Sequence, residues 1–215
     1  MNSTEGHLLL YNYANDPSAR QRLAELGLTV EQVHDTLLYG AAEKATYTDL
    51  DAPGAGEYAR WSRHVRRMSE TLAQQGWERI NPDHQPTIVH PSHEHALVIT
   101  GGNSGTGLAY ANPTNKNPKG RSIRNAVTGN KESVLFRPQD VQPVLGGLRQ
   151  TWVLLTYIGD RGQLRAEVSL PGDMTGEQIT KWIHRIILPE IDPTVGADME
   201  SEEEPPSYDF KVVRK

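Results

Sequence analysis

TWVLLTYIGDRGQLRAEVSL, residues 151–170, holds two runs of strand-forming residues on either side of a turn. The run 152–158 is almost continuously apolar and β-prone, as a buried strand is. Gly159-Asp160-Arg161-Gly162 is a hairpin signal. In the second run Leu164, Ala166, Val168 and Leu170 alternate with Gln163, Arg165, Glu167 and Ser169. A period of two predicts one face in the core and one in water.

Working outward, 77–80, 87–90 and 96–100 are shorter strand candidates split by turn residues, an antiparallel meander. On the other side, Thr175 with Gln178 stands in capping-box spacing. Ile179, Trp182, Ile183 and Ile186 follow at helical intervals, and Pro189 ends the run, which predicts a final helix.

The N-terminal part reads as helices. Asp16 and Pro17 open one over 17–26, and Gly27 breaks it. Thr29 opens a second, with Gln32 in capping-box position and Val30, Val33, Leu37 and Leu38 as its apolar face. Residues 40–56 read mostly as loop. Over 57–75, Tyr58, Trp61, Val65, Met68 and Leu72 form a core stripe, and Arg60, Arg63, His64 and Arg67 fall opposite. The helix–Gly–helix rhythm of 22–33 resembles a helix-turn-helix, but Glu31 and Asp35 suit a plain helical hairpin better than a helix facing phosphate. The expected fold is α+β: N-terminal helices packed on a mostly antiparallel sheet, a C-terminal helix and an acidic tail. A single domain over 1–195 and a flexible acidic tail over 196–215 follow from composition.

Composition narrows the function. The chain has 215 residues, no cysteine and a formal net charge of −5. Disulfides, cysteine zinc sites and a thiol nucleophile are therefore excluded. The apolar run 8–11 is too short for a signal sequence, and no stretch reaches membrane length. The expected setting is the cytoplasm.

The charge is unevenly spread. Between Glu94 and Glu132 there is no acid, while Lys116, Lys119, Arg121, Arg124 and Lys131 fall there. This part includes GGNSGTGLAYANPTNKNPKGRSIRNAV, residues 101–127. Glycine-rich backbone can turn its amides inward as an anion nest, and a helix opening near Ser122 would add its positive end. The Walker pattern fails, because Leu108 and Ala109 follow Gly107, and the dinucleotide glycine order is reversed. The leading expectation is a non-enzymatic protein that binds a phosphate-bearing ligand, nucleic acid foremost. Lys116, Lys119, Arg121 and Arg124 would make the contacts, with Arg60, Arg63 and Arg67 extending the patch. The plain alternative is a polar surface loop beside a solvated helix face.

A second expectation comes from DHQPTIVHPSHEH, residues 83–95. His90, His93 and His95 around a turn could hold zinc with an open position, making a metal-dependent hydrolase. Asp83 or Glu94 would then be base or fourth ligand; ordinary surface histidines are the alternative. No nuclease or hydrolase motif supports catalysis. Glu94 and Glu167 are followed by Ala96 and Ser169 where a lysine is needed, and no G-x-S-x-G occurs. On the binding reading the acidic tail around 200–204, with Glu200, Glu202, Glu203 and Glu204, would compete for the basic patch. A third expectation is a protein-interaction module in which the loop is scaffold and the tail takes a partner.

DAPGAGEYARW, then Gly76-Trp77, then ITGGNSGTG and NPKG, in that order, resemble a family of bacterial proteins without an assigned activity. The resemblance spans roughly the first two thirds of the chain, judged by motif order. It implies a bacterial cytoplasmic setting and assigns no residue a role.

Overall fold

A computed structural model describes residues 8–13, 16–135 and 149–192. In chain order the elements are β1 (Leu9–Asn12), α1 (Pro17–Glu25), α2 (Val30–Lys44), α3 (Ala55–Ala73) and β2 (Glu78–Ile80). A 3-10 turn (Pro82–His84), β3 (Thr87–Val89), β4 (His95–Gly101), α4 (Arg121–Leu135), β5 (Gln150–Ile158), β6 (Leu164–Thr175) and β7 (Gln178–Ile187) follow.

The hairpin of 151–170 forms as its pattern requires, with Val153 opposite Ser169 and Ile158 opposite Leu164. The strands make a seven-stranded sheet in the order β1-β7-β6-β5-β4-β3-β2. Pairing is mixed. β2–β3, β3–β4, β5–β6 and β6–β7 are antiparallel, while β1–β7 and β4–β5 are parallel. The α+β class and the mostly antiparallel sheet are therefore seen.

Successive residues of a strand point to opposite faces, and here both faces are covered. Leu23, Val33, Leu37, Met68 and Leu72 of α1, α2 and α3 pack on Leu97, Ile99, Trp152, Leu154 and Val168. Ile123 and Val127 of α4 pack on Val98, Val153, Leu155, Ile179 and Trp182 from the other side. The caps form as expected. Asp16 accepts from the Ser18 amide at 2.9 Å, and Thr29 and Gln32 close a reciprocal box at 3.2 and 2.9 Å.

Three expectations are corrected. The final helix does not exist: Gln178–Ile187 is strand β7. Its capping-box signal is a tight turn instead, with Gly176 in the left-handed region at φ 59°. The apparent helical period arises because the β6–β7 register shifts between Leu170 and Pro171, Pro171 and Asp173, and Asp173 and Met174. Two of the shifts step over a β7 residue, Ile183 and Thr180, and break its period of two, so Ile179 and Trp182 reach the α4 side while Ile183 and Ile186 reach the other core. Second, α2 continues through Gly40 to Lys44, where a loop was expected. Third, the helix expected over 121–127 extends to Leu135 and starts at Arg121, so Ser122 lies inside its first turn. The acidic tail over 196–215 lies outside the described residues.

Candidate anion site at the end of the parallel strands

The polar residues of β6 do not face water. Arg165, Glu167 and Ser169 are all buried, and this face seats the glycine-rich loop. A buried carboxylate has to be paired and hydrogen-bonded. Arg185 of β7 grips Glu167 in a fork: Nε donates to Oε1 at 3.0 Å and Nη2 to Oε2 at 2.6 Å. The Ser169 hydroxyl and the Gly107 amide donate to the same carboxylate at 2.8 and 3.0 Å. Arg185 spends its remaining donors on the carbonyls of Leu108 and Ala111, and Arg165 donates to Ser104 O at 2.9 Å.

Asn115 fastens the far side of the loop. Its Oδ1 accepts from the Ile179 amide at 2.7 Å, and its Nδ2 donates to the carbonyls of Asn117 and Glu177 at 2.7 and 3.0 Å. Trp182 Nε1 donates to Pro113 O at 2.8 Å. The amides of Gly102, Asn103, Gly105, Thr106, Gly107 and Lys116 all donate within the protein. The expected anion nest is therefore not formed: these amides are already engaged.

The fastened loop delivers Lys116 to the C-terminal end of β4. There Glu57, at the start of α3, meets Lys44 Nζ at 2.6 Å, Arg60 Nη2 at 2.8 Å and Lys116 Nζ at 3.7 Å. Three cations from α2, α3 and the loop thus converge on one half-exposed carboxylate. Gly101 leaves the space open: a methyl group there would sit 3.8 Å from both Arg60 Nη2 and the Lys116 Cβ. Burial alone would raise the Glu57 pKa, but Lys44 and Arg60 overcome it and hold the group at about 2. β4 and β5 run parallel here, and in open sheets ligands bind beyond the C-terminal ends of such strands.

Arg60 is buried, not on the outer face. The buried arc of α3 is wide because the helix packs against α2 as well as the sheet. Arg60 Nη1 donates to Thr156 Oγ1 at 3.4 Å, and His64 Nδ1 lies 3.5 Å from the same hydroxyl. The His64 ring lies over Gly40 of α2. Burial first, and then Arg60, push its pKa down to about 3. The unfolded chain takes up a proton near 6.5 while the folded one does not, so stability falls as pH drops from about 6.5 toward 3. The expected slope is about 1.4 kcal/mol per pH unit from this group. Thermal melts between pH 7 and 4 should show it, and His64→Gln should lessen the slope without abolishing it, since burial also pushes His184 down to about 4 and lowers His95.

The other predicted residues divide. Arg63 is pinned to Glu43 at 2.9 Å and Arg67 to Asp35 at 2.6 Å, both across to α2. They do not share a surface with the loop by these contacts. Lys119 and Arg124 meet the β6–β7 turn: the Lys119 amide donates to Glu177 O, and Arg124 Nη2 donates to Gly176 O at 3.2 Å, while Arg121 is exposed at the start of α4. Burial lowers the Lys119 pKa. Lys131 pairs with Asp173 at 2.7 Å. The stretch without acids in sequence therefore meets acids in space. Glu57 and Lys44 were missed by sequence reading, although the three-residue step from Glu57 to Arg60 was a usable helical pairing signal.

The histidines do not converge. His90 and His95 stack ring on ring at 4.2 Å, with Trp77 edge-on to both. His95 Nε2 lies 3.2 Å from Leu26 O and His90 Nδ1 2.8 Å from Ser92 Oγ, while His93 adopts a left-handed turn at φ 62°. Among the described residues no group of three or more His, Cys, Asp or Glu is placed to hold a metal ion.

Compared with models of protein families, curated proteins and solved structures, the chain matches none. Among the described residues no helix is long and apolar enough to cross a membrane.

Proposed function

We propose that this protein binds a phosphate-bearing ligand, nucleic acid foremost, without carrying out chemistry on it. Lys44, Arg60 and Lys116 are the contact set, and Lys119, Arg121 and Arg124 continue it toward the β6–β7 turn. One observation supports the reading: three cations from separate segments surround a single oxyanion, Glu57, at the open end of a parallel strand pair. A carboxylate and a phosphate make similar demands on such a set, and Arg60 is held in place by burial and Thr156. Glu57 then acts as a resident anion that the ligand displaces or bridges.

The experiment is fluorescence anisotropy with labelled single- and double-stranded DNA and RNA over a range of salt concentrations. Binding should weaken with salt, and Lys116→Ala should weaken it further and lower the salt slope by about one unit. Glu57→Gln should tighten binding by removing the competing charge. Absence of binding at low salt overturns the proposal. The hydrolase reading gains no support from the positions of His90, His93 and His95, and the interaction-module reading rests on tail residues outside those described.

A further inference from the structure

The first turns of α3 serve two sides. Glu57, Arg60 and His64 lie on one flank. Tyr58 and Trp61 lie on the other, beside a cleft of about 530 Å³ that opens toward β2 and the turn Pro82–His84. This volume is in the range of small-ligand pockets. Trp61 is fixed there, its Nε1 donating to Ile99 O at 3.0 Å. Tyr58 stands against it with ring centroids 5.6 Å apart and is 68% exposed. The polar wall is Arg79, whose Nη2 donates to Asn81 Oδ1 at 3.3 Å, together with His84 and Arg66. Among the described residues no carboxylate lines the cleft, and Arg66 is paired with Glu70 beside it at 2.8 Å.

The wall is built at a conformational cost. Asp83 and His84 are successive non-glycine residues in the left-handed region, at φ 47° and 61°. Such backbone is disfavoured and concentrates at ligand sites. Aromatic faces beside the Arg79 guanidinium and an imidazole suit a flat ring tethered to an anion. An unstacked nucleobase and its phosphate have that chemistry, and a base paired inside a duplex cannot present its face in this way.

We propose that the nucleic acid is single-stranded and that this cleft takes one unstacked base against Tyr58 and Trp61, with the adjoining phosphate met by Arg79. The inference rests on the phosphate-binding reading above. Because Glu57 and Tyr58 are consecutive, a strand crossing the start of α3 reaches both flanks.

The test uses intrinsic fluorescence. Trp77, Trp152 and Trp182 are buried, so quenching by an added ligand reports on half-buried Trp61. The full chain is titrated with a short oligothymidylate, with an abasic deoxyribose-phosphate chain of equal length, and with the corresponding duplex. The oligothymidylate should quench the signal and bind about tenfold more tightly than the abasic chain. Tyr58→Ala should remove that tenfold advantage and Tyr58→Phe should keep it; Tyr58 is exposed, so neither change should disturb folding. Equal binding of the abasic chain without quenching, or preference for the duplex, overturns the base pocket and leaves the phosphate reading standing. Failure of all three probes to bind overturns both.

Discussion

Arg185→Leu should cost the protein about 3–5 kcal/mol, because it strands the buried Glu167 carboxylate without its cation. Both side chains are essentially inaccessible to water, and the pair is the centre of the loop's seating. The same change also strips hydrogen bonds from the Leu108 and Ala111 carbonyls. Urea unfolding followed by circular dichroism should show a lower midpoint. The double variant Glu167→Leu with Arg185→Leu should recover part of the loss, since an apolar pair can replace a buried ion pair. Recovery should be incomplete, because the Gly107 amide then lacks its acceptor. Arg185→Lys should not rescue, since an ammonium cannot supply the fork that reaches a carboxylate and two carbonyls together. A single Arg185→Leu variant as stable as the parent would refute this account of the clasp.

Gly40→Ala should also destabilise, against the usual trend for helix interiors, where alanine is favoured by about 1 kcal/mol. The added methyl would overlap the His64 ring and sit 2.9 Å from the Arg60 carbonyl oxygen. Neither neighbour can give easily, as His64 is buried and the carbonyl belongs to α3. Overpacking of this kind costs typically about 1–3 kcal/mol. Gly129→Ala is the matched control: it lies inside α4, and among the described residues the nearest atom outside the helix is Arg149 O at 4.0 Å. That variant should gain about 0.5–1 kcal/mol. Differential scanning calorimetry on the two variants should give melting shifts of opposite sign. Because Arg60 shares the strained contact, Gly40→Ala should weaken phosphate binding as well.

The sequence was informative at some local signals, although not at the Thr175–Gln178 capping-box spacing, which marks the turn into β7. The strand pairing of 151–170 and the Thr29–Gln32 box depend on spacing within an element and formed as read, whereas of the stripe expected on α3 Val65, Met68 and Leu72 are buried and Tyr58 is exposed. It misled where a long-range partner set the outcome. Glu167 looked wet because nothing near it announces Arg185, or a loop from before Gly107 that would cover it. Residues 178–187 looked helical because two irregularities in β7, at Thr180 and Ile183, mimic a helical period. Arg60 looked solvent-facing because α3 was treated as packing on one surface, whereas α2 closes a second. The site was half legible: Lys116 and Arg60 were picked out, but Lys44 and Glu57 join them only through the meeting of α2, α3 and the loop.

The outermost pairing has a consequence for biosynthesis. β1 lies beside β7, with Leu9 opposite His184, so of the described strands the first to leave the ribosome docks on the last. At about 5–20 residues per second, β1 waits on the order of 10–35 s for its neighbour. During that interval Leu8, Leu9 and Leu10 have no strand to join, and they stay partly exposed even afterwards. A nascent chain stalled before residue 184 therefore carries this leucine segment without the strand that pairs it in the finished sheet.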